Sequence, residues 1–133
     1  MSTLTLELRD ARGAEQFQGV TAFVGADASG SFGLRPGHAR FITTLAFGLA
    51  RFRVEEGAWQ YLALPGAVLH LQGERLRVTT RRYLRDTDYG RISEALGAQL
   101  RAEERDLQAT RESLRRMEEE LLRRLWRLGQ EAR

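Results

Sequence analysis

The side chains that do chemistry are few in this sequence, and they are scattered. Its two histidines are His38, in Arg35-Pro36-Gly37-His38-Ala39-Arg40, and His70, in the apolar run Val68-Leu69-His70-Leu71. A metal centre needs several convergent ligands, and a nucleophilic site needs a nucleophile within reach of its base. Neither histidine has such company in the sequence. There is no cysteine, which removes thiolate nucleophiles, disulfides and thiolate-bound zinc together. Gly25, Gly30, Gly33 and Gly37 invite a phosphate-loop reading and fail it. The chain contains no lysine, hence no Gly-Lys-Ser/Thr, and the region lacks the βαβ setting of a dinucleotide fingerprint. These glycines read as turn residues. Asp86 and Asp88 are close together, and Glu118, Glu119 and Glu120 form a short acidic run, but neither group has the opposed geometry of a glycosidase pair. Asp86 and Asp88 suit the electropositive start of a following helix instead. The expectation is a non-catalytic chain with no metal and no cofactor.

Charge leads to the same place. Twenty-one basic residues, all arginine, face 18 acidic ones, for a net charge of +3. Dedicated nucleic-acid binders cluster their charge without compensating carboxylates. The best candidate for such binding is Arg81-Arg82-Tyr83-Leu84-Arg85, where arginine could meet a phosphate backbone and tyrosine a base. A nucleic-acid-binding adaptor using residues 81–85 is therefore the alternative reading. A second basic-aromatic run, Arg123-Arg124-Leu125-Trp126-Arg127, follows directly on Glu118–Glu120. Protein docking or a solvated surface explains both runs more readily, and no nucleic acid is expected. No stretch approaches eighteen apolar residues, so direct bilayer insertion is not expected. Met1-Ser2-Thr3-Leu4-Thr5 lacks the basic region and apolar run of a signal peptide.

The elements that must position these residues change character near residue 88. Before it, short strands dominate. Leu4, Leu6 and Leu8 alternate with polar residues, and Val20, Ala22 and Val24 share one face of a second candidate with Phe17 just before it. Gly25 to Gly33 reads as a loop or tight turns around a short strand. Phe41 to Leu45 is a β-rich run. Ala50, Phe52 and Val54 alternate with Arg51 and Arg53, and Glu55-Glu56-Gly57 then turns the chain into Trp59–Leu64. Pro65-Gly66 and Gln72-Gly73-Glu74 are turn signals flanking Ala67–Leu71, and Leu76 and Val78 mark one more strand. Many short strands with glycine-rich turns predict a β-sandwich or flattened β-barrel over residues 1–88.

Residues 89–133 predict a C-terminal helical arm, so the fold class is α+β. Ser93 to Leu128 is rich in good helix formers, with Gly97 its one glycine. Leu100, Leu107, Leu114, Leu121 and Leu128 recur every seven residues. Glu112–Arg116, Glu119–Arg123 and Glu120–Arg124 are i,i+4 pairs with the acid placed first. Gly129 is a plausible stop. A continuous helix from Ile92 to Leu128 would measure about 55 Å. The alternatives are a two-helix hairpin, with Asp106–Ser113 the only region for a break, or one long helix.

Taken in order, these residues resemble the epsilon subunit of bacterial F-type ATP synthases. The resemblance rests on Gly30-Ser31-Phe32-Gly33-Leu34-Arg35-Pro36-Gly37-His38-Ala39-Arg40 and the apolar run Phe41-Ile42-Thr43-Thr44-Leu45-Ala46-Phe47-Gly48. The family's Pro-Gly-His is matched directly, and Arg40 stands where it usually has proline. Tyr61 through Val78 resembles the later hairpin and strands, with Pro65 in place of a glycine. The resemblance implies an N-terminal β-sandwich that binds the gamma subunit and the membrane rotor ring. It also implies a C-terminal arm that can reach the alpha/beta catalytic head and restrain ATP hydrolysis. The implied location is the cytoplasmic face of the bacterial inner membrane, peripheral, within F1. Pro36, Gly37, His38 and Arg40 become candidate partner contacts, as do Arg115, Arg116, Arg123, Arg124 and Arg127 for acidic surfaces of the head. Some family members bind ATP through Asp-x-x-Arg-Ala. The nearest stretch here is Asp88-Tyr89-Gly90-Arg91-Ile92, which makes Asp88 and Arg91 the nucleotide candidates. Isoleucine in place of the small residue, and Gly90 beside it, count against regulatory ATP. The resemblance leaves proton or sodium coupling open, because ring residues elsewhere select the ion.

Overall fold

The computed structural model describes residues 2–131. Nine strands and one helix follow in order: β1 (Leu4–Asp10), β2 (Gly13–Asp27), β3 (Gly30–Leu34), β4 (Phe41–Leu45), β5 (Gly48–Val54), β6 (Trp59–Leu64), β7 (Ala67–Gln72), β8 (Arg75–Thr80), β9 (Leu84–Asp86) and α1 (Tyr89–Glu131). The hydrogen-bonded order is β4-β7-β8-β1-β2-β5-β6-β9, with β3 also paired to β2. Every pairing is antiparallel except that of β1 with β8.

The long strand β2 turns this continuous sheet into two layers. Its first half pairs with β1, and its second half takes β3 on one side and β5 on the other. At the crossing the register slips twice, between Leu4 and Leu6 on β1 and between Val20 and Ala22 on β2. A bulge adds a residue to one strand, bending it and increasing its twist. Gly19 takes φ +74° in this bend, a conformation favouring glycine. Its carbonyl accepts the Glu55 N–H at 2.8 Å, and Thr21 Oγ1 donates to the Glu55 carbonyl at 2.8 Å. At the other end of the sheet, the Ala46 N–H donates to the Ala26 carbonyl at 2.9 Å and Thr43 Oγ1 donates to Asp27 at 2.7 Å. Those bonds draw the β4 edge onto the end of β2 and flatten the barrel into a sandwich.

The core between the layers is the set that strand alternation turns inward. It includes Leu4, Leu6 and Leu8 of β1, Phe52 of β5, Leu69 and Leu71 of β7, and Leu76 and Val78 of β8. On β2 the bulge changes the phase: Val20 and then Phe23 are buried, while Ala22 and Val24 are only half-buried. The simple alternation of Val20, Ala22 and Val24 therefore does not hold. For residues 25–33 the structure takes the second of the two expected readings, tight turns around a short strand: the end of β2, a turn at Ala28–Ser29 and β3. The Asp27 carboxylate accepts the Ser29 N–H at 2.9 Å there. Where the layers close, a Cβ on Gly25 would stand 3.1 Å from both Leu45 and Phe23.

The chain divides into two compact units, one ending at Leu96 and the other starting at Gly97. Helix α1 is capped by Asp88, whose Oδ1 accepts the Arg91 N–H at 3.0 Å and whose carbonyl accepts the Ile92 N–H at 3.2 Å. This side-chain bond satisfies one of the donors orphaned at every helix start. Ile92, 2% exposed, is the one buried residue of the helix. The helix runs unbroken through Asp106–Ser113, so of the two arrangements expected it is one long helix. Gly129 lies inside it rather than ending it. A glycine there costs about 1 kcal/mol relative to alanine without forbidding the conformation. The fold class is α+β, a β-sandwich followed by a helix.

Candidate docking surfaces

Pro36, Gly37, His38 and Arg40 lie together on the loop between β3 and β4. The His38 N–H donates to the Arg35 carbonyl at 3.1 Å, closing a four-residue turn. Proline second and glycine third, with Gly37 at φ +86°, is the chemistry of a type II turn. The turn presents His38 to solvent, its Nδ1 2.7 Å from the Ala39 carbonyl and its ring edge against Phe41 at 5.8 Å. Arg35 and Arg40 flank it, both exposed. The loop thus forms a polar knuckle that is largely exposed to solvent.

The outward face of the first layer lies beside it. Ile42 of β4 and Val68 of β7 are 61% and 52% exposed. His70 stands between Ile42 and Arg77 in register, and its Nε2 is covered without a hydrogen-bond partner. Glu7 is held by Arg9 at 2.6 Å and lies 3.7 Å from Arg77. Apolar side chains beside a clamped charge network make a surface suited to protein contact.

The arginine run 81–85 serves the fold. Tyr83 is 7% exposed and donates its hydroxyl to Glu15 at 2.5 Å. Burial, and then this bond to a carboxylate, push the Tyr83 phenol up to about 12. Arg12 reaches the Tyr83 carbonyl at 3.1 Å and lies over its ring. Arg85 reaches Glu15 at 3.4 Å and covers Phe17 at 5.0 Å. Residues 84–86 form β9, which the sequence does not announce. The aromatic needed for base stacking is thus inside the protein, and only Arg81 and Arg82 of the run point away unpaired among the described residues.

Asp88 and Arg91 are also occupied. Asp88 caps the helix, and the Arg91 guanidinium forks onto Asp86 through two bonds of 2.9 Å. That bidentate contact, followed by the Asp88 N–H, holds the Asp86 carboxyl below its ordinary range. Further along α1, Arg115, Arg116, Arg123, Arg124 and Arg127 are all exposed. Arg116 lies 4.0 Å from Glu112 and Arg124 lies 3.4 Å from Glu120. Arg115, Arg123 and Arg127 form no ion pair among the described residues, and the expected Glu119–Arg123 contact is not made. The Pro36–Arg40 loop and these five arginines belong to separate units.

One cluster escaped the sequence reading. On the outward face of the second layer, Arg51 and Arg53 both lie over the Trp59 ring, at 4.5 and 5.7 Å. Tyr61, opposite Arg51 in register, meets Tyr89 edge-on at 5.3 Å. The signal was the alternation Arg51-Phe52-Arg53 facing Trp59-Gln60-Tyr61 across the Glu55-Glu56-Gly57 turn.

Comparison with known proteins agrees with this architecture. Residues 3–86 match the family described as ATP synthase, Delta/Epsilon chain, beta-sandwich domain. The chain is 38% identical over 86 residues to ATP synthase epsilon chain 2 of Cereibacter sphaeroides, covering 64% of this chain and 59% of that protein. It thus spans less than two thirds of that relative's length. A subunit in the Euglena gracilis mitochondrial ATP synthase structure (OSCP/F1/c-ring, rotational state 1) superimposes with a TM-score of 0.60 at 19% identity, over 74% of this chain and 64% of that one. A chain of the Tetrahymena thermophila mitochondrial ATP synthase central stalk/c-ring gives 0.53 at 11% identity, over 63% and 69%. At such identities the two structures speak for the fold, while the family match spans the whole sandwich. Through that sandwich the chain belongs to the ATP synthase delta/epsilon family.

Proposed function

We propose that this chain is a non-catalytic subunit of the rotor stalk of an F-type ATP synthase. In this reading the sandwich docks on the gamma subunit and the membrane rotor ring at the cytoplasmic face of a bacterial inner membrane. The observation that carries it is the family match across residues 3–86, the whole sandwich. The Pro36–Arg40 knuckle and the neighbouring Ile42 and Val68 supply exposed surface for such docking. No helix of the described residues is long and apolar enough to cross a membrane, and peripheral docking needs none. Co-purification with gamma and ring subunits tests the reading. A full-length chain that forms no complex with gamma under assembly conditions sinks it.

The arm has its own role in this proposal: it restrains ATP hydrolysis by bringing Arg115, Arg116, Arg123, Arg124 and Arg127 to acidic surfaces of the alpha/beta head. Exposed arginines on a long helix support it, since guanidinium groups suit carboxylate recognition. A stop codon after Leu96 keeps Ile92 in place and removes the arm. The expected result is faster ATP hydrolysis by the assembled enzyme. Unchanged hydrolysis defeats the inhibitory role and leaves stalk membership standing. Regulatory ATP forms no part of the proposal, because Asp88 and Arg91 are committed to the cap and to Asp86.

A further inference from the structure

We infer that the outward face of the second layer, around Arg51, Arg53, Trp59 and Tyr61, is a docking surface for an acidic segment of a partner polypeptide. Several arginines are spent within the fold: Arg9 and Arg77 on Glu7, Arg12 on Asp10 and Arg85 on Glu15 in the sandwich, and Arg91 of α1 on Asp86. Arg51 and Arg53 meet no carboxylate among the described residues. They are laid instead on the Trp59 indole, at 4.5 and 5.7 Å, with Arg53 Nε also bonded to the Gly57 carbonyl at 2.9 Å. The stacking holds both guanidiniums in place on a rigid two-stranded surface while leaving their charge uncompensated. Tryptophan, tyrosine and arginine on one face are also the residue types that dominate binding energy in protein interfaces.

The partner's chemistry follows from what adjoins the charges. Arg51 borders a groove of about 220 Å³ lined also by Val24, Ala26, Ser31, Leu49, Tyr61 and Tyr89. It accepts an apolar side chain, while carboxylates a residue or two away along the same segment reach Arg51 and Arg53. Two guanidiniums without a carboxylate partner among the described residues, beside such a groove, suit an acidic segment better than a nucleic acid, which calls for a longer basic track. The surface is distinct from the Pro36–Arg40 knuckle and from the arm arginines, so the inference stands apart from the stalk reading.

The test uses the full chain with Trp126→Phe, which leaves Trp59 as the sole indole. A synthetic peptide of alternating glutamate and leucine is titrated against Trp59 fluorescence. The expected result is a saturable change that weakens as salt rises, and a loss of about tenfold or more in affinity with Arg51→Glu and Arg53→Glu together. The reversed-charge protein should then bind the lysine-leucine counterpart of the peptide, which an unfolded variant would not do. Absence of saturation, equal affinity after charge reversal, or tighter binding of a single-stranded oligonucleotide than of the acidic peptide would each overturn the inference.

Discussion

Tyr83 gives the most quantitative handle on this fold. Its phenol is buried between the β1–β2 hairpin and the segment leading into β9, and donates to Glu15. Folding raises its pKa from 10.0 to about 12, chiefly through desolvation and then through the carboxylate beside it. A raised folded pKa means that the neutral form is favoured in the native state. The associated stability is fully present below pH 10 and is lost as pH climbs through 12. Two pH units correspond to about 2–3 kcal/mol once the phenol is ionised in both states. The assay is urea unfolding across the alkaline range, paired with near-ultraviolet absorbance of the phenolate, for the wild-type chain and Tyr83→Phe. The difference between the two absorbance titrations isolates Tyr83 from Tyr61 and Tyr89. At neutral pH the variant should lose about 0.5–1.5 kcal/mol with the hydroxyl's hydrogen bond. Between pH 10 and 12 its stability should fall less steeply than wild type. If the difference titration centres near pH 10, or both proteins lose stability in parallel, then Tyr83 is not held as described.

Three further outcomes follow from the same structure. Ile92→Ala should cost about 2–4 kcal/mol, because it empties a buried position, and thermal unfolding should show it as a lowered midpoint. Asp88→Ala removes the bond to the Arg91 N–H and should cost about 1 kcal/mol of helix stability, read as faster amide exchange in the first turn of α1. Gly37→Ala meets open space but must adopt φ +86°, so it should lose about 1–2 kcal/mol through backbone strain alone, measurable by denaturant unfolding.

What the sequence revealed depended on how local the cause was. The alternation of Leu4, Leu6 and Leu8 and the Pro36-Gly37 turn were legible because a few neighbouring residues decide them. The buried face of β2 was not, since the bulges at the crossing are set by pairing with two different strands. β9 was hidden in an arginine run, because a three-residue strand is recognisable only by its pairing with Ala63, Leu62 and Tyr61. The helix was evident from its composition. Its start was legible too, because Asp86 and Asp88 suit the electropositive end of a helix, and in the structure Asp88 caps α1 while Asp86 takes the Arg91 guanidinium. The choice between a hairpin and one helix could not be read from Asp106–Ser113, where helix propensity weakens without any breaker. The Arg51–Trp59–Arg53 stack was missed because it appears only once the register across the hairpin is known.

The parallel pairing of β1 with β8 has a consequence for how the protein is made. Thr5 pairs with Arg75 and Arg9 with Thr79, so β1 must wait during synthesis for β8 before it gains its second neighbour. Until then β1 offers an open edge lined by Leu4, Leu6 and Leu8, a hazard for aggregation during synthesis. Contacts so far apart in sequence also make closure slow compared with a helical bundle of the same size. Because α1 follows β9 in the chain, every strand of the sandwich has been made before the helix, and its closure need not wait for α1.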